Sequence, residues 1–149
     1  MLVFMGHEFL AGESVLAFDL ETTGISTNTD RIVQIALIGS NSSGKTIHYE
    51  TLVNPRRPIP PGASGVHGIY DSDVKGQEDF QHHADQIHEL IENSVVVGHN
   101  IRKFDMPLLE NEFRRIGRLP PKPKAMMDTL EIVRQVKLGR PHNLGSLCR

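Results

Sequence analysis

Val15-Leu16-Ala17-Phe18-Asp19-Leu20-Glu21-Thr22-Thr23-Gly24 brings two carboxylates to the end of an apolar run. On a β-strand, residues i and i+2 point to the same face, which sets Asp19 and Glu21 side by side with Cα atoms about 6–7 Å apart. Two such charges repel unless a cation sits between them. Hard oxygen donors suit Mg2+ or Mn2+, and ions about 3.5–4 Å apart can clamp the attacking and leaving oxygens of a phosphate displacement. The same pair also reads as a solvated acidic end of a surface strand. This stretch alone does not choose between the two.

A second segment bears on the choice. Ser94-Val95-Val96-Val97-Gly98-His99-Asn100, followed by Phe104-Asp105, reads as another buried strand that delivers a carboxylate, its three consecutive valines favouring strand. Pro107 is tolerated only in a helix's first turn, so Asp105 falls at or near the N-cap of a helix over Met106–Ile116. Capping is its plain structural role there.

Together, Asp-Leu-Glu-Thr-Thr-Gly and, with its aspartate 84 positions after Glu21, His-Asn-x-x-x-Phe-Asp resemble the first two motifs of the DEDD 3′→5′ exonucleases. More narrowly, the chain looks like the branch typified by the bacterial DNA polymerase III epsilon subunit. Val53-Asn54-Pro55, Pro58-Ile59-Pro60, Val66-His67-Gly68-Ile69 and Asp128-Thr129-Leu130 also fall where that branch has similar words, so the resemblance covers nearly the whole chain. It implies a ribonuclease H-like α/β fold, a mixed five-stranded sheet with one antiparallel strand, flanked by helices.

For chemistry, the resemblance implies two Mg2+ (or Mn2+) ions held by Asp19, Glu21 and Asp105. The substrate would be the 3′ end of single-stranded or frayed DNA, in proofreading or repair, with a polymerase subunit as a candidate partner. Relatives with the same carboxylates trim RNA, so RNA stays open. The backbone of Thr22, Thr23 and Gly24, together with Val66 and His67, would touch the terminal nucleotide. Asn100 would shape the site and Phe104 would stack on a base. Each has a structural alternative: a buried or turn histidine at 67, a turn asparagine at 100, a core phenylalanine at 104.

One part of the family pattern is missing. In this branch a His-x-Ala-x-x-Asp motif supplies the general base and a fourth metal carboxylate, shortly after a stretch like Asn143-Leu144-Gly145-Ser146-Leu147-Cys148-Arg149. No such motif occurs in these residues. His142 precedes that stretch and reads as a cap or a solvent-facing residue. The expectation is therefore a single exonuclease domain over 1–149, C-terminally incomplete and impaired. A catalytically inactive nuclease-like module that binds nucleic acid is the alternative from a different class.

Gly39-Ser40-Asn41-Ser42-Ser43-Gly44-Lys45-Thr46 fits the P-loop pattern of an NTPase in full. That mechanism needs a helix directly after the lysine, its N-terminal amides cradling phosphate. Here Ile47, Tyr49, Thr51 and Val53 alternate with His48, Glu50, Leu52 and Asn54, a strand pattern. A polar turn between antiparallel strands explains the segment more simply.

At 149 residues the chain can build one core that buries about 68–70% of its unfolded surface. Its single cysteine, Cys148, permits no internal disulfide. Met1–Leu10 contains Gly6, His7 and Glu8, unlike a signal peptide, and no apolar run is long enough to span a membrane. A cytoplasmic location is expected.

The net charge of −2 hides a division: residues 1–99 carry 5 Lys and Arg against 13 Asp and Glu, whereas 100–149 carry 11 against 5. A basic half could face phosphates. Equally, Arg114, Arg115, Arg118, Lys122 and Lys124 could simply end a solvated helix and its loop.

The expected elements are strands over Val15–Leu20, Arg31–Ile38 and Lys45–Val53, a helix over about Phe80–Ile91 and a strand over Val95–Val97. A helix over Met106–Ile116, a short strand near Ala125–Met127, a helix over Thr129–Lys137 and a clipped helix from about Asn143 complete the order. Asn54–Gly65 reads as a loop. Asp128, with Glu131 three residues on, reads as a structural capping-box variant. His82, His83 and His88 lack metal-ligand spacing and are left out of any site.

Overall fold

The computed structural model describes residues 12–139. The expected C-terminal helix, with His142 and Cys148, lies outside that range. Five strands form one mixed sheet: β1 (Val15–Thr22), β2 (Ile32–Ser40), β3 (Thr46–Leu52), β4 (Val95–Gly98) and β5 (Ala125–Asp128), in the order β3-β2-β1-β4-β5. β2 pairs antiparallel with β1 and β3, while β4 pairs parallel with β1 and β5. Only β2 therefore runs against the rest, and the fold is the expected ribonuclease H-like one.

The helices are α1 (Pro61–His67), α2 (Asp71–Val74), α3 (Phe80–Ile91), α4 (Met106–Arg115) and α5 (Thr129–Gly139), with a π-helical turn over Ile101–Asp105 leading into α4. Among the described residues, no helix is long and apolar enough to cross a membrane.

Strand β1 alternates strictly. Leu16, Phe18 and Leu20 are buried in the main core, while Ala17 and Asp19 face solvent and Glu21 is half-exposed. That core receives Phe80, Ala84, Ile87 and Ile91 of α3, a helical stripe, and Leu108, Leu109 and Phe113 of α4. The rings of Phe80 and Phe113 meet edge to face at 5.0 Å. Burial of one face thus fixes which way Asp19 and Glu21 point.

One expectation needs correction. Residues 54–65 are not loop throughout, because α1 begins at Pro61, whose missing N–H costs nothing at a first helical position. Gly62 and Gly65 weaken the local helical signal. The helix is held from outside instead, by buried Ser64 donating from Oγ to the Ile69 carbonyl at 2.7 Å and by Ala63 against Val33, Ile59, Ile69 and Val74.

The P-loop-like segment is the turn between antiparallel strands that its residues predict. Residues 41–45 form a turn in which the Asn41 side chain accepts from the Ser43 and Lys45 amides, and Lys45 leads directly into β3 rather than into a helix.

Candidate active site

Asp19 and Glu21 project from the uncovered face of β1. Asp105 reaches them from the start of α4 by a route that sequence periodicity could not show. The β1–β4 ladder ends at the Ala17–Val97 pair, which leaves the Leu20 N–H without a strand partner. Asp105 Oδ2 accepts that N–H at 3.1 Å, 85 positions away in sequence. The carboxylate continues the sheet where the strand stops.

This replaces the capping role expected for Asp105. It has helical dihedrals and makes no side-chain cap, standing as the last residue of the π-helical turn.

The turn itself is staged by three residues. Gly98 lets β4 end tight against β1, since a Cβ there would lie 2.6 Å from the Phe18 carbonyl oxygen and 2.4 Å from Ile101 Cγ2. Asn100 adopts a left-handed conformation, φ 58°, and the chain doubles back. Asp128, 3% exposed, then pins the loop, accepting from the Asn100 N–H at 2.9 Å, the Arg102 N–H at 3.0 Å and the Leu130 N–H at 3.0 Å.

Burial alone would raise the Asp128 pKa. The N–H groups of Arg102, Asn100, Leu130 and Glu131 outweigh it and hold the carboxyl below its usual range. Asp128 is structural, as expected, but Glu131 gives its carboxylate to Arg102 Nε at 3.0 and 3.1 Å.

Electrostatics ties the three carboxylates together. Asp105, 5% exposed, is pushed up to about 7, chiefly by burial, with the charges of Asp19 and Glu21 adding and the Leu20 N–H partly offsetting. Partial desolvation raises Asp19 as well, again offset by the Leu20 N–H. Glu21 is raised by burial and then by Asp19, with His67 pulling the other way. Among the described residues, none of the three pairs with a lysine or arginine.

This donor set fits a hard divalent cation by charge and by chemistry. The side chains alone do not enclose one: among the described residues no three His, Cys, Asp or Glu groups form a ready cage. Mg2+ commonly takes one or two carboxylates and fills its remaining positions with water and phosphate oxygen, so an open cluster is compatible with it.

The other expected site residues divide. His67 Nδ1 accepts from the Ile69 N–H at 3.1 Å, which assigns the proton to Nε2, and Nε2 donates to the Thr22 carbonyl at 3.0 Å. Its ring is thereby fixed beside Glu21. Val66, next to it, is 86% exposed. Thr22 and Thr23 turn their hydroxyls inward, to the Gly24 carbonyl at 2.7 Å and to Asp30 Oδ1 at 2.8 Å. Gly24 lacks a side chain because the Asp30 carboxylate fills that space, 2.5 Å from where a Cβ would stand. Phe104 is half-buried against the main core.

The basic half of the chain is largely engaged internally. Arg114 bonds Asn111, Arg115 bonds Glu112 and the Asn28 carbonyl, Arg118 bonds Asp85, and Lys124 pairs with Glu13. The helix-end reading is the better one for these four. Sequence reasoning overlooked Asp30, Gly98 and Glu112. Only the position of Glu112 between Leu109 and Phe113, on the apolar face of α4, could have flagged it.

Known proteins similar to this chain agree with one another. The chain is 31% identical over 137 residues to the DNA polymerase III subunit epsilon of Treponema pallidum, covering 92% of this chain and 61% of that protein. It is 29% identical over 144 residues to the PolC-type DNA polymerase III of Halalkalibacterium halodurans, covering 96% of this chain but 10% of that one. An ExoI/SSB-Ct complex superposes with a TM-score of 0.74 at 25% identity, over 87% of this chain and 31% of that one. E. coli Exonuclease I in complex with a 5cy-dA13 oligonucleotide superposes equally well, TM-score 0.74, at 24% identity over 88% of this chain and 31% of that one. The chain thus spans under two thirds of each of these relatives. The exonuclease family model RNase_T matches residues 16–149, and the chain belongs to that family.

Proposed function

We propose that this chain is a metal-dependent 3′→5′ exonuclease domain that removes nucleotides from single-stranded or frayed DNA ends, in proofreading or repair within the cytoplasm. The observation that carries this reading is the gathering of Asp19, Glu21 and Asp105, all with raised pKa values and, among the described residues, with no lysine or arginine paired to them. The oligonucleotide complex of the superposed Exonuclease I supports single-stranded DNA as substrate, and the polymerase III relatives support a polymerase subunit as partner.

In this reading Asp19, Glu21 and Asp105 would hold two Mg2+ (or Mn2+) ions, which would supply Lewis acidity and neutralise charge at the scissile phosphate. His67, held rigid by its two hydrogen bonds, and exposed Val66 flank the terminal nucleotide. Thr22, Thr23 and Gly24 present backbone to it, while Asn100 shapes the site and the exposed part of Phe104 offers a surface for a base to stack on. A positioned general base is worth about 10²- to 10⁴-fold in rate, and the His-x-Ala-x-x-Asp motif that would supply it is absent from these 149 residues. By themselves they should bind the ions weakly and cleave feebly.

The test uses single-stranded DNA labelled at either end, with and without Mn2+, and two proteins: this chain, and the chain continued through the following reading frame. Release of 3′-label as mononucleotide by the longer protein, abolished by Asp19→Asn, is the expected result. Metal-independent release, or release from the 5′ end first, would overturn the reading. A continued frame without His-x-Ala-x-x-Asp and without cleavage would favour the inactive binding module.

A further inference from the structure

Asp105 is not the only buried carboxylate that reaches from the α4 segment to a strand amide. Glu112, 1% exposed, lies seven residues later, two α-helical turns on, hence on the same face and about 10 Å further along the axis. Its Oε2 accepts the Ile32 N–H of β2 at 3.1 Å, while Oε1 takes Arg31 Nε at 2.8 Å and Arg115 at 3.1 Å.

The two amides share one predicament. Leu20 lies beyond the end of β4, and Ile32 lies at the register shift where Glu21 pairs with Gln34 but Thr22 pairs with Ile32. Each is an N–H that the ladder leaves over, and each is taken by a carboxylate of the same helix segment.

We propose that Glu112 is a positioning residue for Asp105, acting as the second of two suspension points that fix where α4 sits on the sheet. With its apolar face already packed in the core, a helix tied to the sheet at one end can still pivot slightly, and a second tie about 10 Å along resists that pivot. The Asp105 side chain is tied to β1 by a single hydrogen bond, so where its carboxylate stands relative to Asp19 and Glu21 depends on how the helix is seated. The two guanidinium groups on Glu112 hold its carboxylate in place, so the far anchor is the stiffer one. The functional importance of this aim rests on the exonuclease reading above, but the mechanical coupling does not.

The experiment separates the two. Glu112→Asp keeps the charge and shortens the arm by one methylene, and amide hydrogen exchange in the folded variant reads the result residue by residue. At least tenfold faster exchange at Leu20, with Ile35 and Leu37 unchanged, is the expected outcome, and Glu112→Gln, which keeps an oxygen of the same reach, should restore much of the protection. Unchanged Leu20 exchange, or a uniform rise across the core, would overturn the coupling. Should Glu112→Asp fail to fold, Glu112→Met with Arg31→Met removes the buried pair together, and the same Leu20 criterion applies. Mn2+ binding measured in the same variants should weaken in parallel with Leu20 exchange. If the coupling holds while the protein continued through the following reading frame degrades no DNA, the exonuclease reading fails and the suspension stands.

Discussion

Replacing Asp105 by asparagine should make the metal-free protein more stable at neutral pH. The amide keeps an oxygen to accept the Leu20 N–H and removes a charge from a nearly solvent-free position beside Asp19 and Glu21. The folded-state pKa is pushed from 3.8 up to about 7, so between those values the folded chain holds a proton that the unfolded chain has lost. Stability therefore falls as pH rises through this window. At about 1.4 kcal/mol per unit, the ceiling on the lost stability is about 4 kcal/mol, and relaxation of a bare site brings the expected figure nearer 2 kcal/mol.

The assay is urea unfolding in a chelator at pH 4.5, 6 and 8, monitored by circular dichroism, for both proteins. The midpoints should lie closest at pH 4.5 and separate progressively, the variant being the more stable at pH 8. Addition of Mg2+ at pH 8 should narrow the gap by stabilising the wild type more than the variant. Parallel pH profiles for the two proteins, or a variant less stable throughout, would refute the account of Asp105 as an uncompensated buried carboxylate.

Asp128→Ala should cost about 2–4 kcal/mol, because it orphans the amides of Asn100, Arg102 and Leu130. With its folded pKa lowered, the stabilisation from Asp128 is present above the ordinary aspartate range and lost as pH falls through the lowered value, so acid should narrow the difference between the two proteins in urea unfolding. Gly98→Ala should lower the melting temperature by several degrees, since the new methyl would press on the Phe18 carbonyl oxygen; an unchanged melting temperature would show that β4 can move away. Lys45→Ala should leave stability within about 0.5 kcal/mol, and isothermal titration should detect no ATP binding to either protein, as befits a hairpin turn.

The features legible from the residues alone came from periodicity, while the sheet topology and the place of Asp105 in the site came from the family resemblance. The alternation along β1 and the stripe Phe80, Ala84, Ile87 and Ile91 are imposed by burial on one face, so they are written directly into residue order. The pairing of Asp19 with Glu21 came from the same rule. The features that stayed hidden depend on contacts between distant segments. Helix α1 carries two glycines and a leading proline, and only its seat against Val33 and Ile69 makes it helical. Asp105 had the sequence context of a cap, yet no local rule could reveal that β4 stops short and leaves the Leu20 amide for it. Glu112 sits between Leu109 and Phe113 on the apolar face of α4, which hints at burial but not at a partner. Its burial is set by a bulge eighty residues earlier.

The π-helical turn over Ile101–Asp105 has a consequence for how this chain can vary. A π turn accommodates one residue more than an α turn of the same reach, so losing a single position would let the backbone close as ordinary helix while swinging whatever stands at its end by about a hundred degrees around the axis. The hydrophobic stripe of α4 and the carboxylate at its start would then demand different rotations. The length of this segment is in effect a ruler, and small insertions or deletions that surface loops absorb freely would here sever chemistry from scaffold while leaving a protein that still folds.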